Sequence, residues 1–174
     1  KGANYITKNI LKSENNYKNN LQKRTNYDML KSRKISWRGN MKRKALQDLV
    51  EWNNNKRRKP LIVWGARQVG KTYLIKDIFA QTFYKEQFLY IDCKVEDDIR
   101  EFCSKTANAG KIIEYISLLK GRRITRDTLL IFDEVQECPN LVSALKYFCQ
   151  DYPEIPVIAT GSMVRIKIQR ETHK

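Results

Sequence analysis

Cysteine and histidine are scarce in this sequence, and their scarcity excludes a common kind of metal site. The cysteines lie far apart with no C-x-x-C pair, and His173 is the single histidine. A zinc site built from paired ligands is therefore not expected. We predict reduced thiols in a cytoplasmic chain, most of them buried. The four cysteines are Cys93, Cys103, Cys138 and Cys149.

Long apolar runs are absent as well. No stretch of about 18 apolar residues occurs, so no membrane-spanning helix is predicted. The first residues also lack the apolar segment of a secretory signal. Apolar residues nevertheless make up 41% of the 174-residue chain and charged residues 30%. This composition is compatible with the buried core of one ordinary domain.

Acidic residues are scarce only in the first third of the chain. Residues 1–60 carry 17 basic and 4 acidic side chains, a net charge of +13, whereas residues 61–174 carry 17 and 15, a net charge of +2. A basic segment of this kind can bind nucleic acid or an anionic surface through its charge. More often such a segment is simply solvated and solubilising, so nucleic acid is a candidate partner only for the N-terminal third.

The sequence predicts a boundary near residue 41. Residues 1–40 are rich in asparagine and lysine and show no apolar periodicity, which is typical of a flexible extension. The stretch "MKRKALQDLVEW" then places apolar residues at helical spacing. We therefore expect Met41 to be the functional start and residues 41–174 to form the core. The expected helix face consists of Ala45, Leu46, Leu49, Val50 and Trp52.

Beyond Pro60, short apolar runs alternate with helical patterns. The runs "LIVW", "QFLYIDC", "TLLIFDE" and "IPVIATGS" are typical of buried strands. Helical spacing separates them, as in "KTYLIKDIFAQTF" and in the stretch that follows Pro139. This alternation predicts an α/β fold with a parallel sheet that is covered on both faces. In "KIIEYISLLK" the residues expected to line one helix face are Ile112, Ile113, Ile116 and Leu119.

The octapeptide "GARQVGKT" lies between the first strand and the first helix of this pattern, and it matches G-x-x-x-x-G-K-[ST]. Glycines let the backbone turn sharply and approach an anion, and successive N–H groups and the helix N-terminus then face it. Lys71 can reach the β- and γ-phosphates of a nucleotide, and the Thr72 hydroxyl can ligate Mg²⁺. The predicted binding residues are Gly65, Ala66, Arg67, Gln68, Val69, Gly70, Lys71, Thr72 and Tyr73.

Two adjacent carboxylates, Asp133 and Glu134, end the apolar run "LLIFDE". In an open parallel sheet the carboxyl ends of the strands form the ligand-binding edge. We expect Asp133 to hold Mg²⁺ through a water molecule, and Glu134, pointing the other way along the strand, to orient or deprotonate an attacking water. The alternative is a strand that ends in a solvated acidic turn.

A third candidate element is "VIATGS", in which Thr160 and Ser162 follow an apolar strand. Either hydroxyl could lie near a γ-phosphate and sense it. A Thr-Gly-Ser sequence after a strand is also an ordinary turn, so this assignment depends on the two motifs before it.

The motifs "GARQVGKT", "LLIFDEVQECP" and "VIATGS", in this order and spacing, resemble the ATPase core of AAA-type prokaryotic ATP-binding proteins, which precedes a C-terminal domain of unknown function. The resemblance covers about residues 41–165. It implies an ASCE-type P-loop NTPase fold with three α/β/α layers and a mainly parallel sheet, with ATP and Mg²⁺ as ligands. It implies Lys71 and Thr72 as Walker A residues and Asp133 and Glu134 as Walker B residues. Glu134 would be the catalytic glutamate and Lys71 would assist it, with Thr160 or Ser162 as sensor 1.

Such cores usually continue into a fifth strand, a helical lid and the C-terminal domain, so the resemblance implies a core that is incomplete at its C-terminus. ATP hydrolysis is then expected of the full-length parent, with homo-oligomer contacts through the missing parts. Arg165 and Arg170 lie in the region of an arginine finger, and the sequence assigns that role to neither.

The favoured function is that of a hydrolase, an ATPase that couples hydrolysis to a conformational task. One alternative is a small-molecule kinase, which would need an acceptor pocket and a basic lid. The other is a nucleotide-switched module that binds nucleic acid or a protein without significant turnover, and the basic N-terminal third is its only support.

Overall fold

The computed structural model describes residues 40–162, with side chains from residue 44 onward. The chain divides into two compact units, Lys1–Asn54 and Asn55–Lys174. In the first unit the described part is helix α1 (Asn40–Asn54), on which Leu46, Leu49 and Val50 are buried as the apolar spacing predicts. The predicted extension lies outside the described residues apart from Asn40, and its boundary at residue 41 stays a prediction.

The second unit contains a parallel sheet of four strands among the described residues. The strand order is β1-β4-β3-β2, and every neighbouring pair is parallel. Every residue of the two inner strands is buried, because helices cover a parallel sheet on both faces. The strands are β1 (Leu61–Gly65), β2 (Phe88–Asp92), β3 (Leu129–Asp133) and β4 (Val157–Ser162).

Helices fill each connection between consecutive strands. Helix α2 joins a π-helical part, Tyr73–Ala80, to a short α-helical part, Gln81–Phe83. Two helices, α3 and α4, connect β2 to β3, and α5 connects β3 to β4. Pro139 opens α5, where a missing N–H costs nothing. The bounds of these three helices are Asp97–Lys105, Ala109–Leu119 and Pro139–Asp151.

The strand order assigns the helices to two faces of the sheet. The crossover from β1 to β2 runs along the sheet in one direction, whereas those from β2 to β3 and from β3 to β4 run in the other. Since such crossovers are right-handed, α2 covers one face and α3, α4 and α5 cover the opposite face. In agreement, α3, α4 and α5 contact one another. The three-layer α/β fold predicted from the sequence is confirmed.

The alternation of side chains along β3 divides the core between these two faces. Leu130 and Phe132 belong to the large cluster formed with α3, α4 and α5. Leu129, Ile131 and Asp133 therefore point to the other face, that of α2. On that face α2 buries Ile75 and Phe79. The last residue of β3 thus carries its carboxylate toward the helix that follows the glycine-containing loop.

Helix α4 differs from its predicted pattern at one end. Ile112 and Ile116 are buried, but Leu119 is 42% exposed and Leu118 is 76% exposed. Leu119 is exposed because α4 ends at this residue and the chain turns away through Gly121, whose φ is 59°.

The cysteines follow the prediction within the described part of the chain. All four are free thiols, three of them buried and Cys149 half-buried. No helix among residues 40–162 is long and apolar enough to cross a membrane.

Candidate functional site

The loop between β1 and α2 has a backbone that few side chains allow. Gly70 has a φ of 86° and Gln68 a φ of 61°, so two residues of the loop are left-handed. A Cβ atom on Gly70 would meet no atom within 4 Å, so the requirement for glycine there is conformational and not steric. The Leu74 N–H donates to the Gly70 carbonyl at 3.0 Å, so the helical turn begins at Gly70. The N–H groups just before Leu74 therefore lie in the first turn of the helix, where they can donate hydrogen bonds to an anion.

Lys71 folds back over this loop. Its Nζ donates to the carbonyl oxygens of Gly65 at 3.1 Å and Ala66 at 2.7 Å. Two of the three ammonium donors thus fix the loop, and the third is the one from which a ligand can accept. The residues that follow Ala66, namely Arg67, Gln68 and Val69, are exposed, as is Tyr73.

The carboxylate of Asp133 is the centre of a hydrogen-bond network that joins four parts of the fold. Asp133 is only 5% exposed. Its Oδ2 accepts from the Thr72 hydroxyl and from the Tyr90 hydroxyl, each at 2.7 Å. Its Oδ1 accepts from the Thr160 hydroxyl and, at 3.1 Å, from the Glu134 N–H. The loop helix, β2 and β4 therefore meet at the end of β3.

This network keeps the buried carboxyl group ionised. Burial alone would raise the pKa of Asp133 because it disfavours the charged form. The hydrogen bonds from Thr160, Thr72, Tyr90 and the Glu134 backbone outweigh burial and lower the pKa below its ordinary value. Asp133 is accordingly an anion at neutral pH, held in one orientation.

Glu134 leaves the extended conformation of the strand. Its φ of 53° and ψ of 45° are left-handed, and a short 3₁₀ turn, Val135–Glu137, follows it. Its side-chain direction is therefore set by this backbone, and the strand alternation expected from the sequence does not apply. The Gln136 amide nitrogen donates to the Glu134 carboxylate and also lies 3.4 Å from the Ser162 hydroxyl. The Ser162 N–H donates to Gln136 Oε1 at 3.1 Å.

The two hydroxyl groups on β4 are thus linked to different carboxylates. Thr160 donates directly to Asp133, whereas Ser162 reaches Glu134 through Gln136. Gln136 and Tyr90 were not predicted as site residues. Tyr90 lies within an apolar strand run, and no local signal in the sequence marks it as a partner of Asp133.

Gly161 lies between these two hydroxyl residues and packs against Trp64. The two residues are partners in the β1–β4 register. A Cβ atom on Gly161 would lie 2.0 Å from Trp64 Cζ3, far inside any van der Waals contact. Only glycine therefore lets the indole ring cover β4 at this level, and the ring fixes the end of β4 beside the loop.

Mg²⁺ fits the donor set at this edge of the sheet. Asp133 and Thr72 present a carboxylate and a hydroxyl oxygen that are already within hydrogen-bond distance. Such hard oxygen ligands suit Mg²⁺. Among the described side chains no three Asp, Glu, His or Cys residues form a metal-binding group. The protein would therefore supply few ligands, which is usual for Mg²⁺ that is also held by water and phosphate oxygens.

The predicted site residues of the three motifs are adjacent in the fold. The loop Gly65–Gly70, with Lys71 and Thr72, lies at the carboxyl end of β1, and Asp133, Glu134, Thr160 and Ser162 lie at the carboxyl ends of β3 and β4. Arg165 and Arg170 lie outside the described residues.

Comparison with known proteins shows the family to which this chain belongs. No curated protein matches the sequence. Among solved structures, the fold is similar to one entitled "Structure of C. elegans PCH-2", with 13% sequence identity and a TM-score of 0.44. That similarity covers 74% of this chain and 39% of the other, so this chain spans well under half of that chain's length. A family model described as an AAA domain matches residues 57–173. Because this match covers more than half of the sequence, the chain belongs to the AAA domain family: it is an AAA-type P-loop ATPase core, a nucleotide-binding module of the ATPase type.

Proposed function

We propose that the chain binds ATP with Mg²⁺ at the loop Gly65–Gly70 and the start of α2, and that it hydrolyses ATP to drive a conformational task. The observation that carries this proposal is the 2.7 Å hydrogen bond from the Thr72 hydroxyl to Asp133 Oδ2. It joins the phosphate-loop helix to the acidic strand end, two elements 61 residues apart in sequence. If the strand ended in a solvated acidic turn, its carboxylates would face water and would not be hydrogen-bonded to that loop.

The loop would hold the phosphates mainly through its backbone. The first N–H groups of α2 and the positive end of its helix dipole favour an anion. Lys71 adds a charge-assisted hydrogen bond through its third donor, while its other two keep the loop closed. Tyr73 follows Thr72 at the start of α2 and is 54% exposed, so its ring is accessible to a bound nucleotide.

Thr72 and Asp133 would hold the metal side of the site. When bound, Mg²⁺ would neutralise charge on the β- and γ-phosphate oxygens. Thr72 would offer its hydroxyl oxygen as a ligand, and the ionised Asp133 would hold the metal through a water molecule. Thr160 orients this carboxylate from the neighbouring strand.

Glu134 would act on the attacking water. Its carboxylate, half-buried and held by Gln136, can accept the water proton as the water oxygen bonds to the γ-phosphorus and the bond to the β–γ bridging oxygen breaks. Ser162, linked to the same glutamine, connects this carboxylate to the end of β4. Thr160 and Ser162 remain the two candidate sensors of the γ-phosphate.

The test combines binding and turnover in three variants. Lys71→Ala should abolish ATP binding, measured by calorimetry with Mg²⁺. Glu134→Gln should retain binding while turnover falls about 100-fold or more, the usual contribution of a general base. Glu114→Gln, an exposed carboxylate on α4, is the matched control and should behave as wild type. Wild-type turnover in Glu134→Gln would refute the assigned role.

The same experiment separates hydrolysis from the alternative of a nucleotide-switched binding module. Such a module would bind ATP through Lys71 but would show no turnover for Glu134→Gln to reduce. Its partner would then be sought with the whole chain. Binding to DNA through the basic N-terminal third should weaken steeply with added salt and should disappear when residues 1–60 are deleted.

A further inference from the structure

The hydrogen-bond count at Asp133 points to a role for Tyr90. An ionised carboxylate has about four acceptor sites, two on each oxygen. Thr72 and Tyr90 occupy Oδ2, and Thr160 and the Glu134 N–H occupy Oδ1. The protein therefore fills the capacity of this carboxylate with its own donors. A metal-bound water can approach Asp133 only if one of these donors withdraws.

Three of the four donors are poorly suited to withdraw. The Glu134 N–H belongs to the backbone next to Asp133 itself. Thr160 is 1% exposed on an inner strand, where its short branched side chain has little freedom. Thr72 lies on the metal side of the site, and its oxygen is itself a candidate ligand.

Tyr90 is the donor that can move. It lies on β2, the outermost strand of the described sheet on that side, and it is only half-buried. Its hydroxyl stands at the far end of a long side chain, so a modest rotation about the Cα–Cβ bond carries it away from Asp133. Lys76 of α2 places its Nζ 4.2 Å from the ring centroid. Lys76 is a long, flexible side chain, so this cation–π contact can follow the ring as the Tyr90 side chain moves.

We propose that the Tyr90 hydroxyl occupies Asp133 Oδ2 when the site holds no metal, and that metal-bound water replaces it when Mg²⁺ enters with the nucleotide. Tyr90 is thus a positioning residue that competes with Mg²⁺ and sets the metal dependence of nucleotide binding. This inference rests on the proposed function, because it assumes that Mg²⁺ enters beside Asp133 together with a bound nucleotide.

Tyr90→Phe removes the competing hydroxyl and keeps the ring under Lys76. The nucleotide dissociation constant in EDTA should stay as in wild type, because no metal then displaces the hydroxyl. With saturating Mg²⁺ it should fall about fivefold, the factor that corresponds to one net hydrogen bond of ordinary strength. The measurement is calorimetric titration with a non-hydrolysable ATP analogue under both conditions.

Tyr115→Phe is the matched control, since the Tyr115 hydroxyl makes a single long contact of 3.4 Å with the Asp98 carbonyl at the surface. It should change neither constant. The inference would be overturned if Tyr90→Phe had the wild-type ratio of the dissociation constants measured in EDTA and in Mg²⁺, or if it bound the analogue more weakly with Mg²⁺. Either result would leave the proposed function intact. Failure of wild type to bind the analogue under either condition would overturn both.

A second measurement does not depend on a variant. Wild-type protein labelled with 3-fluorotyrosine should show one ¹⁹F resonance that shifts when Mg²⁺ is added to the preformed complex with the analogue, as the Tyr90 hydroxyl leaves a carboxylate for solvent. The absence of any metal-dependent shift in the tyrosine resonances would contradict the exchange of donors, whether or not Tyr90→Phe folds.

Discussion

Replacing Thr160 by valine removes one hydrogen bond to the buried Asp133 carboxylate and leaves the shape of the side chain nearly unchanged. Thr160 is 1% exposed and lies on an inner strand, where a branched residue is favoured. Its hydroxyl donates to Asp133 Oδ1, which would keep only the Glu134 N–H as a donor. The variant therefore leaves a buried charge with one partner fewer.

The cost follows from the charge on the acceptor. Hydrogen bonds to charged groups contribute about 1.5–3 kcal/mol to stability, compared with about 1 kcal/mol for neutral ones. We expect Thr160→Val to lower the free energy of unfolding at pH 7 by about 2 kcal/mol. For a chain of this size the corresponding fall in melting temperature is about 4–8 °C.

Thr128→Val provides the control, because Thr128 is equally buried but has neutral partners. Its hydroxyl accepts from the Thr125 N–H at 3.1 Å and lies 3.3 Å from the Thr125 hydroxyl. Urea unfolding followed by circular dichroism gives both free energies under the same conditions. Thr128→Val should cost about 1 kcal/mol.

The pH dependence distinguishes the two variants most clearly. The folded-state pKa of Asp133 is depressed, so the carboxylate's contribution is present above its unfolded pKa of about 3.9 and is lost as the pH falls through the folded value. The deficit of Thr160→Val should therefore be full at pH 7 and should shrink below about pH 4, whereas that of Thr128→Val should not change. A deficit of Thr160→Val that is independent of pH would refute the assignment of its cost to the charged hydrogen bond.

Two further variants test packing and burial away from this carboxylate. Gly161→Ala should destabilise the fold by about 1–3 kcal/mol in thermal unfolding, because its Cβ would meet the Trp64 ring. A variant as stable as wild type would contradict that packing. Burial raises the pKa of Tyr84 to about 12, so its contribution is full below pH 10 and is lost as the pH rises toward 12. Tyr84→Phe should therefore flatten the fall in urea-unfolding free energy between pH 9 and 11. A fall as steep as in wild type would show that Tyr84 does not cause this pH dependence.

The order of the elements and their type could be predicted from the sequence, because both depend on local patterns. The four strands occur where the apolar runs predict them, with ends that differ by at most two residues. The loop from Gly65 to Thr72 lies between a strand and a helix as its motif requires. These are properties of neighbouring residues, and apolar spacing with glycine placement is sufficient to reveal them.

The partners of the site residues could not be predicted, because they depend on which strands are neighbours. Nothing local indicates that Tyr90 would donate to Asp133, since β2 and β3 become adjacent only in the folded sheet. Glu134 shows a second limit. The strand pattern ends at Asp133, and the left-handed backbone that follows sends the Glu134 side chain toward Gln136.

The position of β4 accounts for the geometry of the whole site. Consecutive strands are commonly neighbours, yet β1 pairs with β4 and not with β2, so β4 lies between β1 and β3. Ser162 of β4 is opposite Gly65, and Ala159 of β4 is opposite Phe132. The backbones of β1 and β3 are thus two strand spacings apart, about 10 Å. Thr72, in the first turn of the helix that follows β1, crosses this gap and donates to Asp133, and Thr160 donates to the same carboxylate from β4. Because Thr160 donates to Asp133 from this strand, β4 contributes to the orientation of the carboxylate as well as to the pairing of the sheet.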